Sequence, residues 1–252
     1  MPKLRVLGDV HQRYELYLPC LENVDYSIQV GDLGMDYTDL NQAGIDTTRH
    51  RAIGGNHDVY EHDSPNYFKK HPIFLEDFGL HEIPGFPPIF YVRGAWSIDH
   101  MWRKKHQGYP YNKKNPPIWW VEEELSADQF EVATELYAQT KPEFVITHEG
   151  ILELVPYVTD PSFAENFGYS SDGPIETRTN KALQAMFDIH QPRHWICGHY
   201  HFPWTDTVKG TKFIYLDMFR SNMFWGEYEN CYVDFDENLN LIGPENGFAT
   251  NV

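Results

Sequence analysis

Five short polar clusters carry between them the donor atoms of a metal site: Asp9-Val10-His11, Gly31-Asp32, Gly54-Gly55-Asn56-His57-Asp58, Thr147-His148 and Cys197-Gly198-His199-Tyr200-His201. Carboxylate oxygens with imidazole nitrogens make a mixed hard and borderline donor set, which suits Mn, Fe, Zn or Ni better than Ca or Mg. No cysteine thiolate is needed. Taken singly, each cluster has an ordinary explanation: Gly-Asp is a common turn pair, and Asp-x-His can be a turn carboxylate beside a surface imidazole. His199 and His201 flank one residue, so an extended backbone would point both the same way.

What joins the clusters is position. Each follows a short apolar run, at residues 4–7, 26–30, 51–53, 144–146 and 194–196, that reads as a buried strand. Parallel strands of an open α/β sheet end along one edge, so residues just beyond them converge although far apart in sequence. Helices are expected between them. Residues 12–23 look helical but carry Pro19, which should end or kink the helix. Ser126 can cap a helix with Gln129 reaching back, and Phe130, Ala133, Leu136 and Tyr137 share a face. Residues 180–189 form another, with Leu183, Met186 and Phe187 spaced for burial. Residues 213–216, 231–235 and 239–241 read as antiparallel strands, with a turn at 236–238, and predict a second sheet layer in the carboxy-terminal third.

Two stretches read as active-site loops. Residues 100–121 contain no Asp or Glu, yet hold Arg103, Lys104, Lys105, Lys113 and Lys114 among Trp102, Tyr109, Tyr111, Trp119 and Trp120. Residues 156–179 are rich in Pro, Gly, Ser and Asp, without helical or strand period.

The 252 residues fit one domain spanning 1–252, and 41% hydrophobic with 23% charged residues is ordinary for a globular chain. A formal charge of -17 argues against a stable nucleic-acid complex or an anionic-membrane surface, both of which work through Lys and Arg. Cys20, Cys197 and Cys231 are odd in number and unpatterned, which fits a reducing compartment. The first apolar run is too short for a secretory leader, and nothing approaches a membrane span. The expected location is cytoplasmic, with the oligomeric state left open.

In their order, the clusters resemble the blocks of the calcineurin-like metallophosphoesterase superfamily: Asp-x-His, Gly-Asp, Gly-Asn-His-Asp/Glu, His and Gly-His-x-His. The resemblance covers about residues 4 to 216. It implies an α/β fold, a four-layer αββα sandwich of two mixed β-sheets flanked by helices. It implies two divalent metal ions, Mn first and Fe, Zn or Ni as alternatives. Asp9, His11, Asp32 and His201 would hold one ion, with Asp32 bridging, and Asn56, His148 and His199 would complete the second. Two ions roughly 3.5–4 Å apart make a bridging hydroxide available and neutralise phosphoryl oxygens during in-line displacement. His57 would stay off the metals, stabilising the phosphoryl charge or protonating the leaving oxygen if cationic, with Asp58 beside it favouring that form.

The run from Gly94 to Asp99, then Arg103, Trp119-Trp120 and Glu122-Glu123-Glu124, is similar to a subgroup of small bacterial and phage metallophosphoesterases. There Arg103 is the candidate to clamp a substrate phosphate, with Trp102 or Tyr109 to stack on a base. Arg13 and Arg178 are weaker candidates of the same kind. The chain reads Gly31-Asp32-Leu33-Gly34 where phosphoprotein phosphatases carry Gly-Asp-x-Val-Asp-Arg-Gly, and Asp58 where they carry Glu. The expected function is hydrolysis of phosphodiesters or phosphomonoesters of a small nucleotide or related metabolite. A Ser/Thr protein phosphatase and a non-catalytic metal-binding scaffold are the alternatives.

Overall fold

Strand alternation sorts the apolar residues into three cores. In the computed structural model, which describes residues 1–106, 118–160, 164–170, 173–220 and 230–243, the elements follow in this order. They are β1 (Leu4–Leu7), α1 (Tyr14–Tyr17), β2 (Tyr26–Gln29), α2 (Thr38–Ala43), β3 (His50–Ala52), β4 (Phe78–His81), β5 (Ile89–Val92), α3 (His100–His106) and α4 (Ala127–Thr140). Then come β6 (Phe144–Thr147), α5 (Val155–Val158), α6 (Arg178–Ile189), β7 (His194–Cys197), β8 (Trp204–Val208), β9 (Thr211–Tyr215), β10 (Tyr232–Phe235) and β11 (Leu241–Gly243).

A five-stranded sheet runs β11-β10-β1-β2-β3 and a six-stranded sheet runs β4-β5-β6-β7-β9-β8. Both are mixed: β1, β2 and β3 are parallel, as are β5, β6, β7 and β9, while β10, β11, β4 and β8 run antiparallel. Leu4, Val6 and Ile28 of one sheet meet Phe144, Ile146, Ile196 and Ile214 of the other in the central core. The alternate residues Val145, Trp195, Phe213 and Tyr215 face outward onto Phe130, Ala133 and Tyr137 of α4 and Leu183, Met186 and Phe187 of α6. On the other side, Leu7 and Ala52 pack with Tyr14, Tyr17 and Leu40 of α1 and α2. Each such side chain, fully buried, contributes roughly 1.5–3 kcal/mol. The result is the expected αββα sandwich. Among the described residues, no helix is long and apolar enough to cross a membrane.

Local signals act as expected at several points. Pro19 ends α1 and falls in a 3-10 turn at Leu18–Leu21. Ser126 and Gln129 form a reciprocal capping box on α4, and Thr177 with Asn180 does the same for α6, two residues before the expected start. The carboxy-terminal strands depart from expectation. They do not make a layer of their own: β9 joins β7 in parallel, and β10 and β11 extend the other sheet along β1, with Leu4 opposite Phe235. Val233 and Phe235 alternate into the central core, so β10 completes the sheet that already carries Leu4 and Val6. Strands β4, β5 and β8 went unread; β4 has no buried position, which leaves it without a period-two pattern.

Candidate metal centre

The loops after β1, β2, β3, β6 and β7 all open at one edge of the sandwich, and their polar residues meet there. Asp9, His11, Asp32 and His201 each present one donor atom, all within 4.8 Å of one another. The Nε2 atoms of His11 and His201 face each other at 2.9 Å, His201 Nε2 lies 3.0 Å from Asp9 Oδ2, and His11 Nε2 lies 3.6 Å from Asp32 Oδ2. A second group adjoins the first through the same carboxylate. Asp32 Oδ1 is 3.3 Å from His148 Nε2, and Asn56 Oδ1 is 2.9 Å from both His148 Nε2 and His199 Nδ1.

The backbone is bent to achieve this. His11, Asp32, His199 and His201 adopt φ of 46°, 60°, 68° and 52°, left-handed conformations that cost non-glycine residues free energy and recur at functional sites. The extended backbone expected around His199 and His201 is therefore absent; left-handed turns direct their rings instead. Close approach explains two glycines. A methyl at Gly55 would collide with the Asp32 carboxylate, and one at Gly198 with that of Asp9.

The donor set fits a cation. His148 Nδ1 lies 2.8 Å from the Val30 carbonyl and so donates to it, leaving Nε2 turned toward two oxygens. Burial opposes charge on this ring, yet Asp32, then Asp9 and the Val30 carbonyl, push it up to about 10. Positive charge is called for at Nε2, and a metal ion supplies it as well as a proton does. Burial likewise opposes ionisation of Asp32, but His148, His57 and His11 hold it well below the carboxylate range. Its Oδ2 is buried without a hydrogen bond among the described groups, although it is the oxygen facing His11.

Asn56 and His148 are oriented from behind. Asn56 Nδ2 donates to Ser97 Oγ at 3.0 Å, and Ser97 in turn donates to the buried Glu123 carboxylate. That assigns Asn56 Oδ1 as the atom facing the histidines.

His57, Asp58 and Arg103 sit otherwise than expected. The Asp58 carboxylate accepts from the backbone N–H of Asp32, Gly34 and Gly55 and from Tyr37 Oη, at 2.7–3.1 Å. It ties the second and third loops together instead of supporting a charged His57. Four donors pointing inward leave its oxygens engaged. Burial, then Asp32, raises its carboxyl to about 7, with those hydrogen bonds opposing. Burial lowers His57 to about 4 against the pull of Asp32, with Arg103 and His11 adding to the fall, so the ring is neutral. Arg103 is buried, its Nε 2.8 Å from Asp99 and its Nη2 2.6 Å from His57 Nε2. A guanidinium only donates, so Arg103 holds His57 and is not a free clamp for a substrate phosphate.

Of the weaker candidates, Trp102 stacks on His106 with ring centroids 4.3 Å apart, and Lys104 lies over the Trp119 ring. Arg13 pairs with Glu15 and Arg178 with Glu124. Tyr109, Tyr111, Lys113 and Lys114 lie outside the described residues. A cavity of about 710 Å³ opens on the donor set, lined by Asn56, His57, His199 and His201 together with Trp96 and Phe202.

No protein-family model matches the chain, and neither does any curated protein. Among solved structures it is similar to the phosphopantetheinyl hydrolase of Mycobacterium tuberculosis, with a TM-score of 0.53 and 13% identity over 98% of each chain. The two share the fold, a sandwich of two mixed sheets flanked by helices. A 5'-nucleotidase structure from Staphylococcus aureus matches with a TM-score of 0.46 and 14% identity over 95% of this chain; the chain spans about half, 52%, of that one. A dimetal phosphatase from Danio rerio matches at 0.47 and 14% identity, over 92% of this chain and 91% of the other.

Within this fold, sequence reading missed the residues that brace the donors. Ser97 and Glu123 stand in segments singled out above, but nothing in their types marked a link to Asn56. Gln29 is buried and bonds the Gly8 carbonyl and both backbone groups of Gly31, holding the loop that presents Asp32. A glutamine at the end of a strand that reads as buried was the available signal.

Proposed function

We propose that the chain is a metal-dependent phosphoric ester hydrolase with two divalent ions. The observation that carries this reading is the single Asp32 carboxylate reaching two donor groups, one with Asp9, His11 and His201, the other with Asn56, His148 and His199, beside a cavity. Those residues would hold the ions, with Mn²⁺ the first to supply. When bound, such ions neutralise phosphoryl oxygens and make water a stronger acid. The chain's own groups do the rest. His57, held by Arg103 through both ring nitrogens, stands at the cavity wall beside the donor set, where the His57–Arg103 pair would face the phosphoryl group. Asp58 and Gln29 keep the Asp32 loop in place, and Ser97 keeps the Asn56 oxygen turned inward. The substrate is a small phosphoester.

The test is hydrolysis of bis-4-nitrophenyl phosphate and of the monoester by Mn²⁺-loaded protein, with Asp32→Asn as control. Diester turnover lost in the variant makes the protein a phosphodiesterase, and monoester turnover makes it a phosphatase. Turnover of neither, nor of a phosphopeptide, by metal-loaded protein sinks the enzyme reading in favour of the scaffold.

A further inference from the structure

The cavity beside the donor set has two kinds of wall. Asn56, His57, His199 and His201 give it a polar end. The rest includes Val155, Val158 and Ala164, all buried, and the rings of Trp96, Phe167 and Phe202. Phe167 and Phe202 leave 37% and 43% of their surface exposed at this cavity, and Trp96 is braced edge-on against Tyr169 at 5.2 Å. Aromatic surface left open next to a polar site is what a ligand with an apolar part would cover.

Charge narrows the ligand further. Apart from histidines, Arg220 is the one cation among the described lining residues, and its Nη2 is engaged by Asp217 at 3.2 Å and the His201 carbonyl at 3.0 Å. The carboxylates of Asp99, Asp160 and Glu149 also line the cavity. Asp99 is neutralised by Arg103, and Glu149 accepts from Thr177 Oγ1 and the Trp96 N–H. A second phosphate in this chamber would find, among the described lining residues, Arg220 as its one partner besides the histidines, and that guanidinium already bonded to Asp217.

We propose that the substrate carries one phosphoryl group on an uncharged, apolar or aromatic alcohol, whose carbon skeleton fills the Trp96, Phe167 and Phe202 chamber while the phosphoryl group lies at the donor set. This rests on the phosphoesterase reading. Hydrolysis breaks the P–O bond, water supplies the new phosphate oxygen, and the alcohol leaves with a proton.

The test separates the pocket from the chemistry by using ligands that are not turned over. Hexylphosphonate and methylphosphonate are titrated calorimetrically into Mn²⁺-loaded protein. Each methylene removed from water is worth about fourfold in affinity, so even partial burial makes the hexyl ligand at least about tenfold tighter. Phe167→Ala and Phe202→Ala each lower that ratio several-fold, and Phe167→Leu restores most of it. Val132→Ala, exposed on α4, leaves the ratio as it is. Equal affinities for the two phosphonates overturn the apolar chamber and leave the phosphoesterase reading standing. Binding of neither overturns both.

Discussion

His11 and His201, on the Asp9 side of the donor set, keep 17% and 30% of their side chains exposed, whereas His148 on the Asn56 side is wholly buried. The means of support differ in the same way. His148 is locked by the Val30 carbonyl, and Asn56 by Ser97 and Glu123, all inside the protein. His11 and His201 lean on backbone: His11 N–H and Val10 N–H both donate to the Asp32 carbonyl, and both histidines sit in left-handed turns, as does His199. A site braced by buried side chains keeps its geometry when a ligand leaves. One shaped by surface turns next to solvent exchanges its ligand more readily. An ion held by His148 and Asn56 should therefore exchange more slowly than one held by His11 and His201.

Asp32 belongs to both halves, so Asp32→Asn has the largest effect. It should weaken both ions and lower kcat/KM by roughly three orders of magnitude or more, checked by metal content and steady-state kinetics together. Next come His148→Ala and His11→Ala. After brief dialysis against chelator, the wild type and His11→Ala should retain about one slowly exchanging ion, and His148→Ala none. Equal losses from the two variants would break the comparison. Ser97→Ala is milder, because the donor remains and only its orientation is freed. It should weaken one ion by about 10–100-fold and leave the other untouched, a split visible in a two-phase metal titration.

The smallest effect lies away from the site and separates loss of metal from loss of fold. Burial lowers His194 to about 4, against its bond to the Leu239 carbonyl. The unfolded imidazole titrates near 6.5, so between these values the unfolded chain binds more protons. The resulting stability is complete above about pH 6.5 and drains away as pH falls toward 4. In metal-free protein, His194→Gln should flatten that acid limb of the denaturation midpoint. An unchanged limb would assign the acid sensitivity to other buried groups, such as His81, which burial also lowers to about 4, or the donor set.

Residues that announced themselves share one property: type and position coincide. Asp9, Asp32, Asn56 and His148 each follow a recognisable strand, and parallel strands deliver their ends to one edge whatever the loops then do. The αββα layering was what the resemblance implied, while the Ser126 cap and the stop at Pro19 were legible in the local sequence. Roles that depend on which neighbour a side chain finds were not. Asp58 is adjacent to His57 in sequence, yet its bonds run to the Asp32 loop and Tyr37. Arg103 carried the right charge for a phosphate, but burial beside Asp99 and His57 commits it inward.

The chain's local code, then, settles strand ends, helix caps and the kinds of donor atom available, because backbone propensity and side-chain chemistry are properties of short segments. Which oxygens face which imidazoles, whether His57 carries charge, how β10 and β11 join β1, and what shape of cavity opens beside the donors are matters of contacts between distant segments. Those contacts exist only once the two sheets have packed and water has been removed from between them.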